Sequence, residues 1–240
     1  MNILIPMAGE GSRFKQAGYT FPKPLIEVNG KPMIQMVVEN LWFPDANYIF
    51  LVRKEHLEEY KGLESTLQEI TKGNCEIVEV DGLTEGAACT ALLAKEFIDN
   101  DEELLIANSD QYIEWQPKNF EYLKNTNMFD GIVLCFNSSH PKWSFVKTDE
   151  EGYVVEVAEK KPISDIATTG IYFWSKGEDF VYCAEKMIEK DIRVNGEFYI
   201  APVYNELINE DGELIPFYVQ KMWGTGTPED LNVYLRECVK

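Results

Sequence analysis

Hydrophobic positions in this chain follow two alternating periodicities. Short apolar runs, each long enough for one buried strand, stand at Asn2–Pro6, Tyr48–Arg53, Glu76–Val80, Leu104–Asn108 and Ile132–Phe136. Between them lie stretches with a helical stripe. The plainest is Glu55–Ile70, where Leu57, Tyr60, Leu63, Leu67 and Ile70 share a face. Gly86–Ile98 and Phe120–Asn127 read as further helices. Lys31-Pro32 predicts the start of another that runs to Leu41, since proline is tolerated in a first turn. Strand and helix alternating at this spacing predict right-handed crossovers and a mainly parallel sheet with helices on both faces.

The pattern changes after residue 140. Phe145–Thr148 and Tyr153–Ala158, joined by Asp149-Glu150-Glu151-Gly152, read as a hairpin. Ile171–Trp174 reads as a strand, Glu178–Glu189 and Ile200–Ile208 as helices, and Ile215–Val219 as a strand. A closing helix is predicted over Pro228–Val239, with Glu229 and Asp230 in the first turn, where acids suit the helix dipole. The expectation is one α/β domain over residues 1–240. Its first half, to about residue 139, is an open sheet, and its second half is a β-rich meander with helices.

Ligands of open α/β sheets bind beyond the carboxyl ends of the strands. The first strand runs out there into Met7-Ala8-Gly9-Glu10-Gly11-Ser12-Arg13-Phe14, followed by Phe21-Pro22-Lys23-Pro24. Backbone N–H groups of such a small-residue loop can ring an anion, and Arg13 and Lys23 can take its oxygens. The loop is neither a Walker sequence, lacking a Lys-Ser/Thr pair, nor a dinucleotide fingerprint, with Phe14 at the third glycine position. Spacing alone leaves a polyphosphate cradle and a plain turn equally open.

Composition narrows the choice. Hydrophobic content of 45% and charged content of 26% suit a soluble globular chain. No apolar run approaches the roughly 20 residues of a membrane span, and the N-terminal run has no basic flank, so a cytoplasmic protein is expected. A net charge of −19 argues against nucleic acid and anionic membranes as partners. Residues 1–31 invert that balance, with Arg13, Lys15, Lys23 and Lys31 against Glu10 and Glu27, which fits a site for a small anion. The five cysteines are scattered without a C-x-x-C pair, so they form neither a disulfide framework nor a zinc site. The two histidines, His56 and His140, lie in unrelated contexts and give little support to a His-based metal cluster or a triad.

The opening loop with Pro22-Lys23-Pro24 resembles the signature of the sugar-1-phosphate nucleotidylyltransferases. Four later segments match that family in order. Leu83-Thr84-Glu85-Gly86-Ala87-Ala88 is similar to its base-contacting loop, and Ile106-Ala107-Asn108-Ser109-Asp110 to the strand end that supplies a metal-binding aspartate. Glu159-Lys160 with Thr169-Gly170-Ile171-Tyr172 resembles the acceptor segment, and Trp223-Gly224-Thr225-Gly226-Thr227-Pro228 the closing element.

The resemblance implies a Rossmann-like, GT-A-type fold: a mainly parallel mixed sheet flanked by helices, with an acceptor-binding β-rich subregion in the second half. It implies a nucleoside triphosphate and a phosphorylated small molecule, foremost a sugar 1-phosphate, as partners, with pyrophosphate released and Mg²⁺ as cofactor. Arg13 would hold the departing phosphates and Lys23 would offset charge at the α-phosphate. Met7, Ala8, Gly9, Glu10, Gly11, Ser12, Thr84, Gly86 and Ala87 would bind the nucleotide. Glu159, Lys160 and Gly170 would face the acceptor, and Asp110 would hold the metal. From the residues alone, Asp110 is equally a turn cap after a buried strand, and Thr84 a helix cap.

The sequence departs from the family pattern where a second metal-binding aspartate is usual, because Gly224 stands there: either Asp110 holds the metal with phosphates and water, or another carboxylate such as Glu229 or Asp230 reaches in, or the metal requirement differs. Surface-polysaccharide (capsule) assembly is the implied setting. The alternatives are a CTP-dependent cytidylyltransferase acting on a non-sugar phosphate such as phosphocholine, a glycosyltransferase of related fold, and a nucleotide-sensing paralogue. For the glycosyltransferase, Ser109-Asp110-Gln111-Tyr112 lacks the usual Asp-x-Asp. A homo-oligomer is left open.

Overall fold

A computed structural model describes residues 1–238. Strand β1 (Asn2–Pro6) leads through the short helix α1 (Ser12–Gln16) and a 3-10 turn at Lys23–Leu25 into the hairpin β2 (Glu27–Val28) and β3 (Lys31–Pro32). Then follow α2 (Met33–Asn40), β4 (Asn47–Arg53), α3 (Lys54–Glu59), α4 (Leu63–Ile70), β5 (Cys75–Val80), α5 (Ala87–Leu92), α6 (Lys95–Ile98) and β6 (Leu104–Ala107). The short strand β7 (Gln111–Glu114) and helix α7 (Pro117–Lys124) precede β8 (Gly131–Asn137), β9 (Ser144–Thr148), β10 (Val154–Glu159) and β11 (Ile166–Trp174). Helix α8 (Gly177–Glu189), a 3-10 turn, α9 (Tyr204–Asn209), β12 (Leu214–Tyr218), β13 (Lys221–Gly224) and α10 (Pro228–Glu237) complete the chain.

Nine strands form one mixed sheet in the order β10-β9-β11-β6-β1-β4-β5, with β8 against β11 and β12 against β8. The pairs around β1 are parallel, as the alternation predicted: β1 with β4, β1 with β6, and β4 with β5. The second half joins through β11, which runs antiparallel to β6, β8 and β9. Because the chain fills one side of β1 with β4 and β5 before crossing to β6, the strand order reverses at β1. A ligand crevice is expected at that switch point.

Strand alternation splits the core between two faces. Ile3 and Ile5 pack with Ile34 and Val37 of α2 and Phe120 of α7, whereas Leu4 faces Ala88 of α5, Ile98 and Phe180 of α8. Each side chain of this size buried here contributes roughly 1.5–3 kcal/mol. The second face is anchored by Trp174, stacked on Tyr204 with centroids 4.2 Å apart. All five cysteines are free; Cys75, Cys135 and Cys183 are buried as small hydrophobes.

The structure corrects several predicted elements. Lys31-Pro32 is a strand, and the helix starts at Met33. The reason is the Asn29-Gly30 turn, whose residues take φ of 52° and 79°, the backbone of a two-residue hairpin. The predicted helix Glu55–Ile70 is two helices, broken where Tyr60 leaves helical geometry and donates its hydroxyl to Thr20 O at 2.8 Å. Gly86–Ile98 is likewise broken, between Leu92 and Lys95. Phe120–Asn127 is shifted, starting at Pro117 and ending at Lys124. Ile200–Ile208 opens as a 3-10 turn over Ala201–Val203 before α9. β11 begins at Ile166, earlier than its apolar end suggested, because Thr169 satisfies its buried hydroxyl on Leu134 O at 3.0 Å. In the predicted closing helix, Val239 lies outside the described residues.

Candidate active site

The first loop is shaped by Gly11, whose φ of 62° lies in the left-handed region. A Cβ there would stand 3.4 Å from Lys23 Cβ, so the loop passes directly over the Pro22-Lys23-Pro24 segment. Pro22 fixes the approach at φ −59°, and Pro24 is buried. Lys23 Nζ thereby reaches Asp110 Oδ2 at 2.7 Å, with the two side chains 21% and 23% exposed. Asp110 follows β6, the parallel neighbour of β1, and its carbonyl accepts from Thr225 N at 2.8 Å. The pairing of β7 with β13 sets Gly224 opposite Gln111 and lays the Gly224–Gly226 stretch over Asp110. Gly226 has no space for a Cβ, because the Asp110 carboxylate occupies it.

Two cavities adjoin this ion pair. One, of about 450 Å³, contains Met7, Ala8, Gly9, Glu10, Gly11, Ser12, Thr84, Gly86 and Ala87, every residue expected to bind nucleotide, together with Lys23. Thr84 also serves locally, donating to Gly86 O at 3.0 Å. Glu10 is held by Ser12 Oγ at 3.1 Å, and Arg53 Nη1 stands 3.9 Å from it. That cation partly offsets an acid beside the proposed phosphate site. Leu83 and Ser109, from the quoted segments, line the same cavity, and so does Glu197, which was not expected and comes from a connection with no distinctive pattern.

The other cavity, of about 380 Å³, contains Arg13, Asp110, Glu159, Lys160 and Gly170, and shares Ala87 with the first. Arg13 opens here and does not line the first cavity. Trp143, Tyr172 and Tyr199 line this space, whereas Trp174 is wholly buried in the core. Glu159 accepts a short hydrogen bond from Ser144 Oγ. Burial pushes its carboxyl above the usual carboxylate range, against the pull of Ser144 and Lys160. Lys160 holds a strained backbone at φ 54°; its ammonium bonds the Tyr199 hydroxyl and lies 4.3 Å from that ring's centroid. Burial, then neighbouring Glu197, pushes the Tyr199 phenol up. A larger groove of about 660 Å³, beside Asn40 and Trp115, contains none of the expected site residues.

The donor set for a hard cation can be tested on these side chains. Asp110 offers a carboxylate at the meeting point of the cavities. Asp230, on α10, places Oδ2 3.7 Å from where a Gly224 Cβ would stand, and Lys142 Nζ donates to both its oxygens, at 3.0 Å (Oδ1) and 3.3 Å (Oδ2). Asp230 thus brings a carboxylate alongside position 224, whereas Glu229 is exposed and does not line the cavity. Among the described residues, no three His, Cys, Asp or Glu side chains gather to hold a metal alone. Asp110 and Asp230 line one cavity, and carboxylates of this kind suit Mg²⁺, which keeps few protein ligands.

Comparison with known proteins places this architecture. The family model described as nucleotidyl transferase matches residues 3–232, and the chain belongs to that family. Among solved structures, the nucleoside-diphosphate-sugar pyrophosphorylase from Vibrio cholerae superposes with a TM-score of 0.83 at 29% identity, covering 98% of this chain and all of that one. Among curated relatives, the low-salt glycan biosynthesis nucleotidyltransferase Agl11 of Haloferax volcanii is 27% identical over 239 residues, 96% of this chain and 64% of its own length. The bifunctional protein GlmU of Methanocaldococcus jannaschii is 27% identical over 217 residues, 88% of this chain and 48% of its own. The chain therefore spans between about half and two-thirds of those curated relatives. Among the described residues, no helix is long and apolar enough to cross a membrane.

Proposed function

We propose that this protein transfers a nucleotidyl group from a nucleoside triphosphate to a phosphorylated small molecule, foremost a sugar 1-phosphate, and releases pyrophosphate. The observation that carries the reading is the Lys23–Asp110 pair at 2.7 Å, set where the two cavities meet. An acceptor phosphate oxygen attacks the α-phosphorus, and the bond from that phosphorus to the bridging oxygen breaks, with its electron pair leaving on pyrophosphate. The nucleophile is already an anion, so the protein needs position and charge more than a general base.

Residues 7–12 with Thr84, Gly86 and Ala87 hold the nucleotide in this reading. Lys23 releases Asp110 when the triphosphate arrives and neutralises the charge that grows at the α-phosphate. Arg13, exposed and lining the second cavity, takes the departing phosphates in this reading, its forked donors suiting phosphate oxygens. Glu159, Lys160 and Gly170 position the acceptor. Asp110 and Asp230 would hold Mg²⁺, which when bound would polarise the phosphate oxygens. The product is a sugar nucleotide for cytoplasmic steps of glycan or surface-polysaccharide assembly, a setting supported by the relative named for glycan biosynthesis.

Pyrophosphate release tests this directly, measured for purified protein with Mg²⁺ across five nucleoside triphosphates and a panel of phosphorylated acceptors. Release of a nucleoside diphosphate from a nucleotide sugar instead would replace the reading with glycosyl transfer. Nucleotide binding with no turnover would replace it with sensing.

A further inference from the structure

Arg193 belongs to the connection between α8 and the 3-10 turn at Ala201–Val203, and it lines neither of the two cavities beside the Lys23–Asp110 pair. Its guanidinium is nonetheless engaged on every nitrogen. Nη2 donates to Glu85 Oε2 at 2.6 Å, Nε to Asp191 Oδ1 at 2.5 Å and Nη1 to Gly196 O at 3.1 Å. The guanidinium carbon lies 4.0 Å from the Phe198 ring centroid.

Most of those partners hold the connection itself in shape. Asp191, Asn195 and Gly196 take φ of 51°, 50° and 84°, and Asn195-Gly196 makes a two-residue turn closed by the pairing of Val194 with Glu197. Glu85 is different, lying 108 positions earlier in the loop before α5. That loop also meets the connection through its backbone. Phe198 N donates to Glu85 O at 2.9 Å, and Phe198 O accepts from Ala88 N at 3.0 Å. Gly86, between them, takes φ of 139° and has no room for a Cβ, which would overlap the Phe198 backbone. Arg193 closes this contact from its exposed side.

The clamped segment serves both cavities. Phe198 is 1% exposed, and its two neighbours part company: Glu197 lines the cavity proposed for nucleotide, and Tyr199 the one proposed for acceptor, where it bonds Lys160. Across the contact, Thr84 and Gly86 line the first cavity and Ala87 lines both.

We infer that Arg193 is a positioning residue, which clamps the connection 191–199 onto the loop 84–88 so that one wall of each cavity is set as a single piece. It acts through Glu85 and Phe198. This rests on the nucleotidyl-transfer reading and adds the device that sets the two subsites against each other. An exposed ion pair contributes little by itself. The ring contact and the turn held by the same guanidinium add to it, so effects of several-fold are expected.

The test uses the full chain with Mg²⁺: calorimetric binding of five nucleoside triphosphates without acceptor, and steady-state pyrophosphate release with hexose 1-phosphates. Arg193→Ala is expected to raise KM for both substrates, and Kd for the bound triphosphate, about five- to tenfold, with kcat within about twofold. A misfolded fraction would lower kcat and leave KM, so the split separates positioning from lost structure. Glu85→Gln removes the ion pair from its other end, and the double variant should be no weaker than Arg193→Ala by more than about twofold. Arg193→Lys, which keeps the charge and loses the fork, should fall between wild type and Arg193→Ala. Should Arg193→Ala fail to fold, Glu85→Gln decides. Unchanged KM and Kd in the variants, a change in kcat alone, or additive effects of the two substitutions would each overturn the inference. Absence of pyrophosphate release by the wild type beside Arg193-dependent triphosphate binding would count against nucleotidyl transfer alone.

Discussion

Lys23 Nζ lies 2.7 Å from Asp110 Oδ2, joining positions 87 residues apart where the two cavities proposed for nucleotide and acceptor meet. The pair neutralises both groups in a half-buried place, and the proposed reaction gives Lys23 to the α-phosphate and Asp110 to the metal. It is best viewed as a resting arrangement that bound phosphate opens.

Lys23→Ala is expected to lower kcat by about 10²–10³-fold, the range seen when a group aimed at transition-state charge is removed. Circular dichroism should show the fold retained, because the side chain adds little to the core. Turnover within twofold of wild type would remove Lys23 from its assigned role.

Asp230 and Gly224 make a second pair of tests. Asp230→Asn should weaken Mn²⁺ binding, read by electron paramagnetic resonance with a nucleotide analogue present, by about tenfold. Gly224→Asp should strengthen it, since a Cβ there meets only the Trp143 ring edge at 3.4 Å and Asp230 at 3.7 Å. Unchanged affinity in Asp230→Asn would leave the metal to Asp110 and phosphates.

Glu159 gives a pH-dependent expectation. Its folded carboxyl titrates above the ordinary carboxylate range, chiefly through burial. The folded state therefore holds this proton more tightly than the unfolded chain, and stability from this group is lost as pH rises through the folded pKa. Glu159→Gln, which keeps an acceptor for Ser144, should be more stable than wild type near neutral pH. That advantage should vanish below the ordinary carboxylate pKa. Urea denaturation between pH 4 and 8 reads the difference; a pH-independent difference would contradict it.

Two glycines should behave oppositely. Gly226→Ala drives a methyl into the Asp110 carboxylate, so lost turnover and about 1–3 kcal/mol of stability are expected. Around Gly9 a Cβ meets nothing within 4 Å. Gly9→Ala should leave the melting temperature unchanged yet weaken nucleotide binding, because the open space is the proposed ligand's.

Much of this was legible in the sequence, for physical reasons. Buried parallel strands such as β1 and β4 are continuous apolar runs, and the first loop announced itself through Gly11, Arg13 and the prolines around Lys23. The nine residues expected at the nucleotide do surround one cavity. What escaped depends on long-range pairing. β7 and β13 are four residues each and half polar, and only their contact across the chain makes them strands. That contact sets Gly224 opposite Gln111, and α10 then brings Asp230 beside Gly224. Asn29-Gly30 is itself a hairpin signal, and it outweighs the helix-start signal of Pro32 that follows it.

Pyrophosphate release by the wild-type protein, with Mg²⁺, five nucleoside triphosphates and both hexose 1-phosphates and phosphocholine, bears most directly on the assigned reaction. Release with one triphosphate and a hexose 1-phosphate, lost in Lys23→Ala, is the predicted result. No release with any pair, or equal release from Lys23→Ala, would contradict it.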